Sequence, residues 1–279
     1  MKNVISHSLK LSCAVLVLFV FSSGLALAEY GLNMPKGVTE ISREVYGLHM
    51  KIFYWCVGIA VVVFYAIIHS IIFHRKSRGY KAATFHHSTV VEIVWTIIPF
   101  IILIVMAIPA AKTLIAMEST ESADITIKIT GYQWKWRYEY LDGDAAGVSF
   151  FSSLATPLEQ ISGEQDRYAN ENYLLEVDNA LVLPTGKKVR FLLTAADVIH
   201  AWWIPDFAVK KDAIPGFINE MWTVIDEPGT YRGQCAELCG KDHGFMPIVV
   251  IAKSEAEYEQ WVRAQPNAAI LKTDVAVGQ

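Results

Sequence analysis

Two long apolar stretches beyond the N-terminal segment contain no charged residue, and they decide most of what the chain can be. Ile52 to His74 and Ile93 to Ala111 are free of Asp, Glu, Lys and Arg. As helices rising roughly 1.5 Å per residue they would span about 35 Å and 28 Å, enough to cross the hydrocarbon of a bilayer. Pro99 and Pro109 lie within the second run. Membrane helices tolerate such prolines where neighbouring protein satisfies the freed carbonyls, so the second helix is expected to pack against a partner. The connection between the runs holds Arg75, Lys76, Arg78 and Lys81 and no acid. The positive-inside rule makes that connection cytoplasmic. The pattern predicts a transmembrane hairpin, about 48–74 and 90–113, in contact with membrane lipid and with both ends facing outward.

The N-terminus agrees with that topology. Lys2 and Lys10 precede an apolar run from Leu11 to Phe21, and Ala26-Leu27-Ala28 follows. This is the layout of a cleavable secretory signal, with cleavage after Ala28; an uncleaved third membrane helix is the alternative. The expected organisation is a signal peptide at 1–28, an N-terminal segment and hairpin at 29–115, an exported domain at 116–265 and a loose tail at 266–279. An export signal with this hairpin implies the inner membrane of a bacterium, with the N-terminus and the C-terminal domain on the periplasmic side.

With 53% hydrophobic residues, 19% charged residues and a net charge of −4, the chain is neither disordered nor a nucleic-acid binder. The charge is unevenly placed. Residues 1–115 carry 10 basic and 4 acidic residues, and the remainder carries 14 and 24. An acidic exported half is either simply well solvated or meets a cationic partner.

That half reads as strands. Ile125, Ile127 and Ile129 alternate with polar residues, and GYQWKWRYEY would put Tyr132, Trp134, Trp136, Tyr138 and Tyr140 on one strand face. Further strands are expected at 173–177, 187–194, 220–225, 230–234 and 247–252. Leu183-Pro184-Thr185-Gly186 and Glu227-Pro228-Gly229 are expected turns. Many short strands without intervening amphipathic helices indicate an all-β sandwich or barrel. Residues 143–172 look like a surface insertion, and 254–264 like a terminal helix.

The chemistry concentrates in CAELCGKDHGFM, where Cys235, Cys239, His243 and Met246 stand at relative positions 0, 4, 8 and 11. Thiolate and thioether donors with imidazole favour copper over hard cations. A single blue-copper ion needs two His and one Cys, whereas this loop offers two thiols. Two copper ions bridged by both sulfurs, each capped by one His, would use the pair fully. The second imidazole would be His200, placed near the end of a strand-like run. A disulfide is the plainer reading of a Cys pair in an exported protein. Zinc suits the set less well, because structural zinc sites rarely use Met. Glu92, at the start of the second apolar helix, either reaches the headgroups or belongs to a proton path.

These motifs carry a resemblance. CAELCGKDHGFM, DVIHAWWIP, GYQWKWRYEY, KKDAIPGFINE and HSTVVEIVWTIIP occur here in the order found in subunit II of haem–copper cytochrome c oxidases, and the chain resembles that family over nearly its whole length. The resemblance implies a two-helix hairpin followed by a cupredoxin-like Greek-key sandwich. It implies that Cys235 and Cys239 bridge a dinuclear CuA centre of two copper ions, with His200 and His243 as terminal ligands. Met246 would be an axial ligand, and Glu237 would supply its backbone carbonyl. The Glu237 side chain would also reach a magnesium site at the interface with subunit I. Trp134 would receive electrons from cytochrome c, whose basic face would meet acids such as Glu139, Asp142, Asp144 and Asp197. Glu92 would sit at the entrance of a proton channel shared with subunit I. The complex would include subunits I and III, with the haem held by the partner subunit alone, and would reduce O2 to water coupled to proton pumping.

Competing readings leave different traces. An exported copper chaperone or thiol–disulfide protein would place its Cys pair at a helix start within βαβ units. A quinol-oxidase subunit would lack the Cys and His residues, which are all present here.

Overall fold

The computed structural model describes residues 33–265. The expected signal peptide and the expected C-terminal tail lie outside the described residues. Helices α1 (Glu40–Phe73) and α2 (Thr89–Met117) coincide with the two apolar runs and are both long and apolar enough to cross a membrane. Each extends further than charge-free composition suggested. α1 starts eight residues before the expected 48, because Thr39 caps it. The Thr39 hydroxyl accepts from the Ser42 N–H at 2.9 Å, and the Ser42 hydroxyl accepts from the Thr39 N–H at 2.9 Å. A reciprocal cap of this kind satisfies two of the N–H groups that a helix start leaves unpaired. Pro99 and Pro109 are both accommodated inside α2.

The rest of the chain forms ten strands among the described residues: β1 (Ile125–Tyr132), β2 (Lys135–Tyr140), β3 (Ser149–Ser152), β4 (Leu181–Pro184), β5 (Lys188–Ala195), β6 (His200–Ile204), β7 (Val209–Ala213), β8 (Asn219–Val224), β9 (Gly229–Cys235) and β10 (Pro247–Lys253). One sheet runs β3-β2-β1-β5-β8 and the other β4-β10-β9-β6-β7. β1 and β5 pair in parallel, as do β4 and β10, while the other pairs are antiparallel. This is a cupredoxin-like sandwich. Its interior is set by period-two burial, as in β5, where Val189, Phe191, Leu193 and Ala195 face inward. Burying a side chain such as Phe191 contributes about 1.5–3 kcal/mol. The two sheets meet through Trp202 of β6. Its ring lies 5.1 Å from that of Phe191, and its Nε1 donates to the Tyr138 hydroxyl at 3.2 Å. Helix α4 (Glu255–Arg263), opened by a Ser254–Glu257 capping box, closes one end by burying Tyr258 and Val262.

Several strand expectations are corrected. The run Tyr132–Tyr140 is not one strand: the chain reverses at Gln133–Trp134, and Tyr132 pairs with Lys135 across the turn. Only Trp136, Tyr138 and Tyr140 form the buried face. Residues 173–177 form no strand and make a single bridge, Leu154 to Val177. The insertion at 143–172 contains β3, which extends the first sheet, and a short helix α3 (Leu158–Ser162). Leu183 and Pro184 end β4, so the turn there is confined to Thr185–Gly186. His200 starts β6 rather than ending a strand.

Candidate metal centre

Strand pairing brings the loop and the distant histidine together. β9 ends at Cys235, and β10 begins one residue after Met246. β6 pairs with β9 so that Trp202 stands opposite Cys235, and the Ala236 N–H donates to the Ala201 carbonyl at 3.0 Å. His200, two residues before Trp202, therefore reaches the end of β9. Gly131 of β1 makes the space for its ring, since a Cβ there would lie 2.7 Å from His200 Cδ2. The residue before His200 is exposed, while His200 itself is fully buried.

The donors then follow one another in contact. His200 Nδ1 lies 3.9 Å from Cys235 Sγ, Cys235 Sγ lies 3.9 Å from Cys239 Sγ, and Cys239 Sγ lies 3.5 Å from His243 Nδ1. Met246 Sδ is 3.5 Å from Cys239 Sγ, and the Glu237 carbonyl is 3.4 Å from Cys235 Sγ. The ligand atoms of His200, Cys235 and Cys239 all fall within 4.8 Å of one another. At 3.9 Å the two sulfurs are not bonded, since a disulfide measures about 2.05 Å. The structure brings these six residues close together, with His243 joining the group through Cys239.

The electrostatics show what the cluster lacks on its own. Burial opposes a charge on His200, yet its hydrogen bonds to Cys235 and Asp197 outweigh that and hold its pKa above the ordinary imidazole value. Burial also opposes the Asp197 carboxylate, but His200 and the N–H groups of Gln133 and Val198 hold it below the usual range. The thiols diverge. Cys235 is buried, but its bonds to His200 and to the Glu237 carbonyl bring it below the ordinary thiol value. Burial and the neighbouring Cys235 push Cys239 up to about 12. Two thiolates this close repel each other, and a bound cation is what would let both ionise together.

Comparison with known proteins decides the family. Residues 125–253 match the cytochrome c oxidase subunit II periplasmic domain, and residues 28–113 match the transmembrane domain of the same subunit. A probable cytochrome c oxidase subunit 2 of Rickettsia bellii is 36% identical over 96% of this chain and 95% of its own length. The chain belongs to the cytochrome c oxidase subunit II family. Cytochrome c oxidase subunit 2 of Arabidopsis thaliana is 38% identical over 88% of this chain and 94% of its own. The solved periplasmic domain of subunit II of cytochrome oxidase of Bradyrhizobium japonicum is 44% identical, covers 52% of this chain and 94% of that one, and superposes with a TM-score of 0.45. As a cytochrome c oxidase subunit II, the chain is a membrane protein with an extramembrane domain and assembles with other oxidase subunits.

Other residues that the subunit II resemblance singled out lie around or away from the cluster. Trp134, half-buried, donates from Nε1 to the Cys239 carbonyl at 3.1 Å. Glu92 is not near the thiols: it lies in the first turn of α2, at the end away from the β domain, and its Oε1 accepts from the Ser88 N–H at 3.2 Å. The Glu237 side chain is exposed. Among the acids expected to face a basic partner, Glu139 pairs with Lys128 at 3.3 Å and Arg137 at 3.2 Å, and Asp142 accepts from the Thr126 N–H. Asp197 holds the cluster together: its Oδ1 lies 2.9 Å from His200 Nε2, and its Oδ2 accepts from the Gln133 N–H at 2.7 Å. Sequence reading missed this contact of Asp197 with His200 and missed Gln133 altogether. An Asp three residues before a ligand His was the available signal for the first.

Proposed function

We propose that this chain is the electron-receiving subunit of a respiratory cytochrome c oxidase. It would take electrons from cytochrome c at a dinuclear copper centre and pass them to haem in subunit I, where O2 is reduced to water with coupled proton pumping. The observation that carries this reading is the unbroken contact series His200–Cys235–Cys239–His243, flanked by Met246 and the Glu237 carbonyl.

The donor set fits a copper pair. Two thiols, two imidazoles and a thioether are soft or intermediate ligands, and His200, Cys235, Cys239 and Met246 are all buried from water. Two copper ions bound there would take up one electron and give it back with little change in bond length. The protein's part is to keep the donors from moving. The β6–β9 ladder fixes His200 against Cys235, and Asp197 fixes the His200 ring through Nε2, leaving Nδ1 toward the sulfur. Trp134 touches the Cys239 peptide from the outside, which suits a residue that receives electrons from a docked cytochrome c. The acidic excess of the exported domain would speed encounter with a basic partner, an effect that weakens as salt rises.

The remaining assignments follow the same reading. The α1–α2 connection would be cytoplasmic and the β domain periplasmic, in a bacterial inner membrane, after removal of residues 1–28. Subunits I and III would pack against α1 and α2. Glu92 would then stand at the cytoplasmic entrance of a proton path, and the exposed Glu237 carboxylate would be free to reach a magnesium ion at the subunit I interface. Substituting Cys235→Ser or His243→Asn tests the copper assignment. Each should abolish the purple and near-infrared absorption of the copper pair, and an unchanged spectrum would refute it.

A further inference from the structure

One backbone carbonyl beside the cluster is contacted in a way that coordination of a metal does not explain. The Cys239 oxygen accepts from Gln133 Nε2 at 2.9 Å and from Trp134 Nε1 at 3.1 Å. A carbonyl has two lone pairs, and both are engaged here by side chains from another part of the fold. Gln133 and Trp134 form the two-residue turn between β1 and β2, whereas Cys239 lies in the loop between β9 and β10.

Gln133 has a second attachment. Its backbone N–H donates to Asp197 Oδ2 at 2.7 Å, and the other oxygen of that carboxylate meets His200 Nε2 at 2.9 Å. Gln133 therefore joins the histidine arm of the cluster to the thiol loop. The backbone is shaped for this approach. Gly240, directly after Cys239, has a φ of +116°, and a Cβ there would lie 3.1 Å from both Gln133 Nε2 and Trp134 Cζ2. The left-handed φ favours glycine, and the lack of a side chain lets the turn close on the loop. The neighbouring Leu238 is 77% exposed.

We propose that Gln133 is a positioning residue that fixes the Cys239 carbonyl against the Trp134 N–H, so that this carbonyl links the indole to the Cys239 sulfur. The proposal rests on the reading of Trp134 as the electron-receiving residue. From the indole N–H the link crosses one hydrogen bond and then runs through the carbonyl carbon, Cα and Cβ of Cys239 to its sulfur. Trp134 alone supplies one donor to a partly exposed loop. The Gln133 amide, anchored at its own backbone by Asp197, supplies the second and sets where the peptide sits.

The test uses the assembled oxidase carrying Gln133→Met, which keeps side-chain length and removes the amide, beside Trp134→Phe. Four quantities are read: the rate of reduction by cytochrome c, KM for cytochrome c, copper content, and the rate of Cys239 alkylation in the metal-depleted complex. Gln133→Met should slow reduction several-fold, leave KM and copper content as in the parent, and speed alkylation of Cys239. A parental rate in Gln133→Met beside a slow Trp134→Phe overturns the positioning role and leaves Trp134 as receiver. Parental rates in both overturn both readings. A slow Gln133→Met with a parental Trp134→Phe also overturns the proposal, because the link then bypasses the indole. So does loss of copper from Gln133→Met, which would make Gln133 a residue of site assembly instead.

Discussion

Trp222 Nε1, on β8, donates to the carbonyl of Ala116, 3.1 Å away in the last turn of α2. The contact has company. Lys211 Nζ reaches Glu118 at 2.9 Å, Lys188 Nζ donates to the Ser119 carbonyl at 2.8 Å, and Thr120 Oγ1 donates to Glu220 at 3.0 Å. α1 is tied at its own start, where the Val38 N–H donates to the Asp206 carbonyl at 3.0 Å and Thr39 Oγ1 donates to the Phe207 carbonyl at 3.3 Å. Both apolar helices thus run directly into the sandwich.

Trp222→Phe keeps an aromatic ring, smaller than the indole, and removes the donor. A hydrogen bond of this kind contributes about 1 kcal/mol net. Hydrogen exchange across residues 117–124 should quicken, while the core strand β5 stays protected. Unchanged exchange at 117–124 would show that the remaining contacts suffice to hold the helix end.

Glu220 gives the same region a pH dependence. Its carboxyl is held below the usual range, first by hydrogen bonds to Arg190 at 2.6 and 3.0 Å and further by Thr120. A depressed folded pKa means that its stabilisation is present above the ordinary value of 4.5 and is lost as pH falls through the lower, folded value. Both partners are about a third exposed, so solvent screening limits the effect to about 0.5 kcal/mol. Thermal unfolding in detergent at pH 7 and below pH 4.5 should differ less in Glu220→Gln than in the parent. An equal pH response in the two would remove Glu220 as its source.

Tyr140 bridges the sheets. Its hydroxyl donates to the Val182 carbonyl at 2.7 Å and accepts from the Val182 N–H at 3.2 Å, with both residues buried. Tyr140→Phe leaves two buried backbone groups unpaired, which costs about 1–3 kcal/mol. The melting temperature should fall while copper content is kept. A parental melting temperature would mean that water replaces the hydroxyl.

The lesson for reading such a chain lies in particular residues. The apolar helices were legible because bilayer thickness demands long charge-free runs, and Ile52–His74 and Ile93–Ala111 are both of that kind. Cys235, Cys239, His243 and Met246 were legible because one short loop carries them. His200 was harder, since its proximity depends on β6 pairing with β9. The reversal at Gln133–Trp134 was hidden, because it uses neither glycine nor asparagine, the residues that usually announce a two-residue hairpin turn. β3 was hidden because SFFS is only four residues long and borders one existing strand. The double role of Asp197 could emerge only from a folded loop that turns its two oxygens toward different elements.

Glu92 lies at the end of α2 away from the thiols, and an ionisable group there serves either headgroup contact or proton movement. In the assembled oxidase, Glu92→Gln should slow proton uptake from the cytoplasmic side and leave the rate of copper reduction by cytochrome c as it was. A mutant with full turnover would return Glu92 to a headgroup-facing role.

The central claim is that Cys235 and Cys239 together hold a pair of copper ions, and metal counting tests it most directly. The isolated chain, extracted in detergent and reloaded with excess copper, should retain two copper ions per chain, with neither thiol open to alkylation. One ion or none per chain, or a recovered Cys235–Cys239 disulfide, would contradict it.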